Sequence, residues 1–279
     1  MDRKHREATV VLITGATSGI GQACAQHLAR RGYQVFGTGR RAPFPPRSTP
    51  EGSPVLIHMD VTQDESVRRA VDYIVERAGR IDVLVNNAGY SLAGAVEDTS
   101  IEEAKAQFET NFFGVHRVCR AVLPVMRAQG SGLIVNIGSI AGVIALPFQP
   151  FYSATKFALA GFTEALSHEV RPFGIRVTLI APGDIRTSVT ENRVRAAAWT
   201  SDSPYASYAK RALEIQERDE RHGGSPEEVA ILLERIVRAH NPAPHYRVGP
   251  FFERVAAVLK GVVPARFFHW AVGKYYGLR

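Results

Sequence analysis

Thr9-Val10-Val11-Leu12-Ile13-Thr14-Gly15-Ala16-Thr17-Ser18-Gly19-Ile20-Gly21 is the stretch from which the fold can be read. Its first five residues are apolar or β-branched without alternation, the mark of a strand buried on both faces. Three glycines follow in the spacing GxxxGxG, and Gln22 to Arg31 then reads as a helix closed by Gly32. A strand that turns through glycine into a helix places free N–H groups and a positive dipole end at the turn. Such a turn accepts phosphate, and side chains at Gly15, Gly19 or Gly21 would obstruct either that approach or the packing of the helix.

Outward from this stretch, strands and helices alternate. Tyr33 to Thr38, Val55 to Met59, Val83 to Val85, Leu133 to Ile137 and Ile175 to Ile180 read as strands, with a short one at Tyr246 to Val248. Helices are predicted over Asp64–Ala78, Ser100–Gln129, Tyr152–Val170 and from Ser225 to about Ala239. The one over Ser100–Gln129 rests on Ile101, Ala104, Phe108, Phe112, Val115, Cys119, Val122 and Met126 at steps of three and four. Ser225-Pro226-Glu227-Glu228 has the serine, proline and glutamate of a helix start. Five prolines between Arg41 and Pro54 mark a surface loop. Solid apolar strands alternating with helices predict a single-domain α/β protein, a doubly wound parallel sheet with helices on both faces and right-handed crossovers.

The composition sets limits. A chain of 279 residues with 45% hydrophobic and 22% charged residues can bury a core and excludes wholesale disorder. The formal charge of +7 favours anionic partners without selecting one. Two distant cysteines, Cys24 and Cys119, exclude a disulfide scaffold and a zinc ribbon, so no metal is expected. No apolar run reaches transmembrane length, and the charged start, Met1 to Glu7, has no signal-peptide character. A cytoplasmic protein is expected. No nucleic-acid motif accompanies the basic excess, so a nucleic-acid partner is not expected.

The glycine turn resembles that of the short-chain dehydrogenases/reductases, and the family's further motifs follow in order. Asn86-Asn87-Ala88-Gly89 comes after the fourth strand, and Asn111 lies in the long helix. Ser139 follows the fifth strand, and Tyr152-Ser153-Ala154-Thr155-Lys156 is the YxxxK motif. Pro182-Gly183 follows the sixth strand, with Ile185 and Thr187 behind it. The resemblance covers roughly residues 9 to 190. It implies a Rossmann sheet in the order 3-2-1-4-5-6-7, with Asn111, Ser139, Tyr152 and Lys156 as the catalytic set. It also implies a dinucleotide held by Gly15, Thr17, Ser18, Gly19, Ile20, Gly21, Asp60, Val61, Asn87, Ala88, Gly89, Tyr152, Lys156, Pro182, Gly183, Ile185 and Thr187. In the family the asparagine holds a water that links the lysine to solvent.

The residues suit that chemistry. Tyr152 and Lys156, one turn apart, share a helix face. A free tyrosine, with a pKa of about 10, is a poor proton carrier near neutrality; a nearby ammonium is expected to lower it. Ser139 can orient a carbonyl or carbinol oxygen. An NAD site usually carries an acid at the end of the second strand, but here the sequence is Gly39-Arg40-Arg41. Arg40 and Arg41 can pair with a 2′-phosphate, so NADP(H) is preferred and NAD(H) is the alternative. The function expected is a carbonyl reductase or alcohol dehydrogenase acting on a small apolar substrate; residues 157–166 and 182–187 resemble family members of the hydroxysteroid, retinoid or long-chain ketone type. The alternative is an NADP(H)-sensing regulator without turnover.

Residues 1–250 are expected to form the catalytic domain, with residues 184–224 as a substrate loop of low apolar content. Residues 251–279 form an extension with five basic residues, one acid (Glu253) and seven of the chain's 25 aromatics. Three readings of that extension stay open: a lid over a greasy substrate, a peripheral contact with a membrane, or core packing. The helices over Ser100–Gln129 and Tyr152–Val170 are expected to pair across a two-fold axis in a homodimer or homotetramer.

Overall fold

The computed structural model describes residues 8–187 and 193–278. Met1 to Glu7, part of the substrate loop, and Arg279 lie outside the described residues. In chain order the elements are β1 (Val10–Ile13), α1 (Gly19–Arg30), β2 (Gln34–Gly39), β3 (Val55–His58), α2 (Asp64–Ala78) and β4 (Val83–Asn86). The two-residue β5 (Leu92–Ala93), α3 (Ile101–Phe108), α4 (Gly114–Gln129), β6 (Gly132–Ile137) and α5 (Pro150–Val170) follow. The chain continues with β7 (Ile175–Pro182), β8 (Val194–Arg195), α6 (Ala206–Arg221), α7 (Pro226–Arg238), β9 (His245–Val248), α8 (Phe251–Leu259) and α9 (Ala265–Tyr275).

Seven strands form one parallel sheet in the order β3-β2-β1-β4-β6-β7-β9. This is the expected 3-2-1-4-5-6-7 once the short β5 and β8, which pair only with each other, are set aside. The period-two alternation of each strand feeds two cores. Leu12, Leu84 and Ile134 point to one face and pack with α2, α4 and α5 through Ile74, Val118 and Leu159. Val11, Ile13, Val83 and Val85 point to the other and meet α1 and α7 through Leu28 and Leu233. Covered on both sides, these strands had to be apolar throughout.

Three elements differ from the sequence reading. The predicted helix over Ser100–Gln129 is interrupted by a π-helical turn at Glu109–Phe113, which divides it into α3 and α4. Apolar spacing passes unbroken through the π turn, so periodicity could not reveal it. The substrate loop contains a four-turn helix, α6. Its buried face carries only Ala209, Ala212, Leu213 and Gln216, and half of the helix is charged, which hid the amphipathic pattern. The extension forms two helices, α8 and α9. The N-terminus of α7 has the anticipated cap, with Glu227 N–H donating to Ser225 Oγ at 3.1 Å and Ser225 N–H to Glu228 Oε1 at 3.1 Å.

Candidate active site

Thr14, Asn87 and the glycine turn knit the carboxyl ends of β1 and β4 into one platform. The N–H groups of Asn87 and Ala88 both donate to Thr14 Oγ1 at 3.0 Å. Asn87 Nδ2 donates in turn to the carbonyls of Thr14 (2.9 Å) and Gly15 (3.1 Å). Thr14 was not among the expected site residues; only the crossing of the two strand ends shows its role. Gly15, at φ +66°, faces Ala88 so closely that a Cβ would come within 2.8 Å of its Cα. Gly21 is required for packing, since a Cβ there would collide with the carbonyl of Gly15. Gly19, at φ +53°, faces Thr187.

The start of α1 is built for an anion. No acidic side chain lies in its first turn, and the Ser18 hydroxyl makes no capping bond. The helix end therefore keeps donors for a phosphate. Gly39 ends β2 beneath Thr17: a Cβ at residue 39 would lie 2.6 Å from Thr17 Cγ2. The missing acid thus has a packing reason as well as an electrostatic one. Arg40 and Arg41 are exposed on the cavity rim, with no carboxylate partner among the described residues. Asp60 accepts from the N–H and hydroxyl of Thr62 at 2.9 and 2.8 Å, which shapes the turn that brings Asp60 and Val61 to the cavity wall.

Farther along the cavity the catalytic candidates converge. Ser139 caps the turn after β6, accepting from the Ala141 N–H at 3.0 Å, and its side chain lies beside Tyr152 on the cavity wall. Lys156, almost fully buried, donates from Nζ to the Ile137 carbonyl at 2.9 Å and sits 5.7 Å from the centre of the Tyr152 ring. Burial pulls the Lys156 pKa down to about 8. The expected lowering of the Tyr152 pKa is absent in this state. Burial holds it above the ordinary value; the Ser139 side chain and the charge of Arg193 pull it down, whereas Glu220 and Asp184 push it up. Lys156 is turned toward the Ile137 carbonyl and is not among the groups that shift Tyr152.

Asn111, buried within the π turn, has its side chain occupied. Nδ2 donates to the Tyr90 carbonyl at 2.9 Å and to Thr155 Oγ1 at 3.3 Å, while Oδ1 accepts from the Tyr90 N–H at 3.0 Å. It clamps the segment after Gly89 against α5, so the shown role of its amide is positional. Pro182 and Gly183 end β7, where Gly183 N–H donates to the Val248 carbonyl at 2.8 Å. Ile185 is buried in the second core, so only its backbone is available to a ligand; Thr187 reaches the cavity.

Apart from Thr14, Gly21 and Asn111, which stand behind its wall, these groups line one cavity of about 1900 Å³, with the glycine turn at one end and α8 and α9 at the other. Drug-sized ligands occupy pockets of about 300–1,000 Å³, so this space accommodates a dinucleotide and a second molecule. The residues fit a nicotinamide dinucleotide: a cradle cleared of Cβ atoms, an uncapped helix start and unpaired arginines. The far end contains groups that the sequence reading missed. Glu253 of α8 accepts from the Asp184 N–H at 2.9 Å, and burial together with Glu253 raises the Asp184 pKa to about 8. Tyr275 of α9 donates to Asp219 Oδ2 at 2.6 Å, tying the extension to α6.

The sequence pattern described as short chain dehydrogenase matches residues 9–198. The chain belongs to the short-chain dehydrogenase family. It is similar to a 3-ketodihydrosphingosine reductase of Bacteroides thetaiotaomicron, 42% identical over 97% of this chain and 98% of that one. Among solved structures it resembles a short-chain dehydrogenase from Streptomyces avermitilis, with a TM-score of 0.76, 33% identity, and coverage of 95% and 97% of the two chains. A short-chain dehydrogenase/reductase from Burkholderia phymatum in complex with NAD gives a TM-score of 0.73 at 26% identity, covering 86% and 89%. The chain is therefore an oxidoreductase of this family, and a nicotinamide dinucleotide is its class of cofactor. Nothing in these comparisons supports the regulatory alternative.

Proposed function

We propose that the protein is an NADP(H)-dependent reductase of a ketone carried on a long apolar chain, of the sphingoid kind named for the Bacteroides relative. The observation that carries this reading is the cavity itself. It runs past the Tyr152 hydroxyl to an apolar wall formed by Val255, Leu259, Val263, Phe268 and Val272 of the extension.

When bound, the nicotinamide exchanges a hydride with the substrate carbon. The Ser139 hydroxyl holds the substrate oxygen in place, and Tyr152 gives that oxygen a proton. Burial keeps Tyr152 protonated at neutral pH, which is the form reduction consumes. The Lys156 ammonium stabilises the phenolate left behind, and with one of its three donors on Ile137 it keeps two for a ligand. Arg40 and Arg41 at the rim favour the 2′-phosphate of NADP(H) over the ribose hydroxyl of NAD(H).

The test is NADPH oxidation at saturating cofactor across a series of ketones of rising alkyl length, including 3-ketodihydrosphingosine. KM falling with each added methylene, with NADPH outperforming NADH, is the expected result. Equal KM for short and long ketones would remove the assigned role of the apolar wall.

A further inference from the structure

Each helix of the extension carries a second exposed face that the cavity does not use, apolar on α8 and cationic around one tryptophan on α9. On α8 and the turn after it, Phe252, Val255, Ala256, Leu259 and Val263 line the cavity. Phe251, Val258 and Val262, one position out of phase, line nothing and are 76%, 54% and 76% exposed. Steps of three and four along both sets place them on separate stripes of the same helix. On α9, Phe268, Ala271 and Val272 face the cavity, while Arg266, Trp270 and Lys274 recur every fourth residue on the exposed side.

The charge on the outer side has one sign. Arg254, Arg266 and Lys274 are exposed, and Lys274 lies 5.2 Å over the Trp270 ring. The extension's one acid, Glu253, is folded inward against the Asp184 N–H and adds nothing outside. Lys260 is also turned inward, to the Val143 carbonyl and the Phe157 ring. Phe252, Leu259, Phe267 and Tyr275 line the cavity and are exposed as well, so they mark its mouth. Phe252 and Tyr275 touch across it, with ring centres 6.5 Å apart.

We infer that the outer faces of α8 and α9 dock on an anionic lipid bilayer, and that the mouth of the cavity opens onto that surface. Exposed aromatic and aliphatic groups interleaved with cations match the layer between headgroups and acyl chains. A second copy of the chain fits less well, since an isologous contact would bring the same unpaired cations together. Among the described residues no helix is long and apolar enough to span a membrane, so the contact is peripheral.

The test is sedimentation of the full-length protein with phosphatidylcholine vesicles, with and without phosphatidylserine, at low and high salt. Binding is expected only with phosphatidylserine, and it should be lost in high salt. Arg254→Gln/Arg266→Gln/Lys274→Gln should weaken it about 100-fold, at roughly five-fold for each cation. Phe251→Ser/Val258→Ser/Val262→Ser/Trp270→Ser should weaken it by about 100-fold or more. Both variants should keep the wild-type NADPH affinity, because none of these side chains lines the cavity. Absence of wild-type binding at low salt, or undiminished binding by either variant, would overturn the inference. A wild-type dimer that the serine variant dissociates, without vesicle binding, would assign the face to a second copy. Vesicle binding needs no turnover, so this result is independent of the proposed reaction.

Discussion

Replacing Arg40 by alanine isolates the basis of cofactor choice. Arg40 is exposed and has no carboxylate partner among the described residues, so its loss breaks no internal ion pair and should change stability by less than about 0.5 kcal/mol. Its effect should therefore appear almost wholly in binding. A hydrogen bond to a charged group is worth about 1.5–3 kcal/mol, so NADPH affinity should fall roughly 10- to 150-fold, with NADH nearly unchanged. The converse change needs two substitutions. In Gly39→Asp the new Cβ lies 2.6 Å from Thr17 Cγ2 and 2.9 Å from Oγ1, so overpacking should cost about 1–3 kcal/mol and disturb the glycine turn. Thr17→Ala removes both atoms and leaves the alanine Cβ as the near neighbour, at 3.3 Å. The double variant should regain stability and prefer NADH, because aspartate accepts from the ribose hydroxyl and repels the phosphate. Calorimetric titration of the wild type and all four variants with both cofactors, alongside melting curves, completes the cycle. Equal losses of NADPH and NADH in Arg40→Ala would refute the phosphate role. A double variant no more stable than Gly39→Asp would refute the steric argument.

Three further outcomes follow from the site. Tyr152→Phe should bind NADPH normally yet lose several orders of magnitude in turnover, which single-turnover kinetics can check; near-normal turnover would exclude Tyr152 as the proton donor. The Asp184 carboxyl has its pKa raised to about 8, so its protonated form is favoured in the fold. The resulting stabilisation of the docked extension should be fully present below the ordinary carboxylate range and lost as pH rises through about 8. Trp270 fluorescence should report that loss in the wild type, and Asp184→Asn should flatten the profile; identical profiles would disprove the assignment. Phe113 and Phe157, exposed near the π turn and on α5, lie where a two-fold helix pairing would cover them. Sedimentation equilibrium should show a dimer or tetramer at micromolar concentration, and a strict monomer would contradict that pairing.

The sequence alone carried the strands, the glycine turn and, through its resemblance to the short-chain dehydrogenases/reductases, the sheet order and the candidates Ser139, Tyr152 and Lys156. The strands and the turn depend on local rules: solid apolar runs for strands covered on both faces and glycines where backbone must approach, while a four-residue step puts Tyr152 and Lys156 on one helix face. Tertiary structure decided what depends on neighbours distant in the chain. The π turn at Glu109–Phe113 leaves no mark in the apolar period, and α6 buries too little hydrocarbon to show one. Thr14 becomes a strut only where β1 meets β4, and Asn111 a clamp only where Tyr90 and Thr155 close on it. The Tyr152 proton affinity is set by burial and by Arg193, Glu220 and Asp184, contributed by three separate segments; the motif spacing of Tyr152 and Lys156 predicted the opposite sign. The sequence marked the extension as basic and aromatic. Only the packing of α8 and α9 separated the stripe that lines the cavity from the stripe left exposed, because solvation depends on which face a neighbour covers.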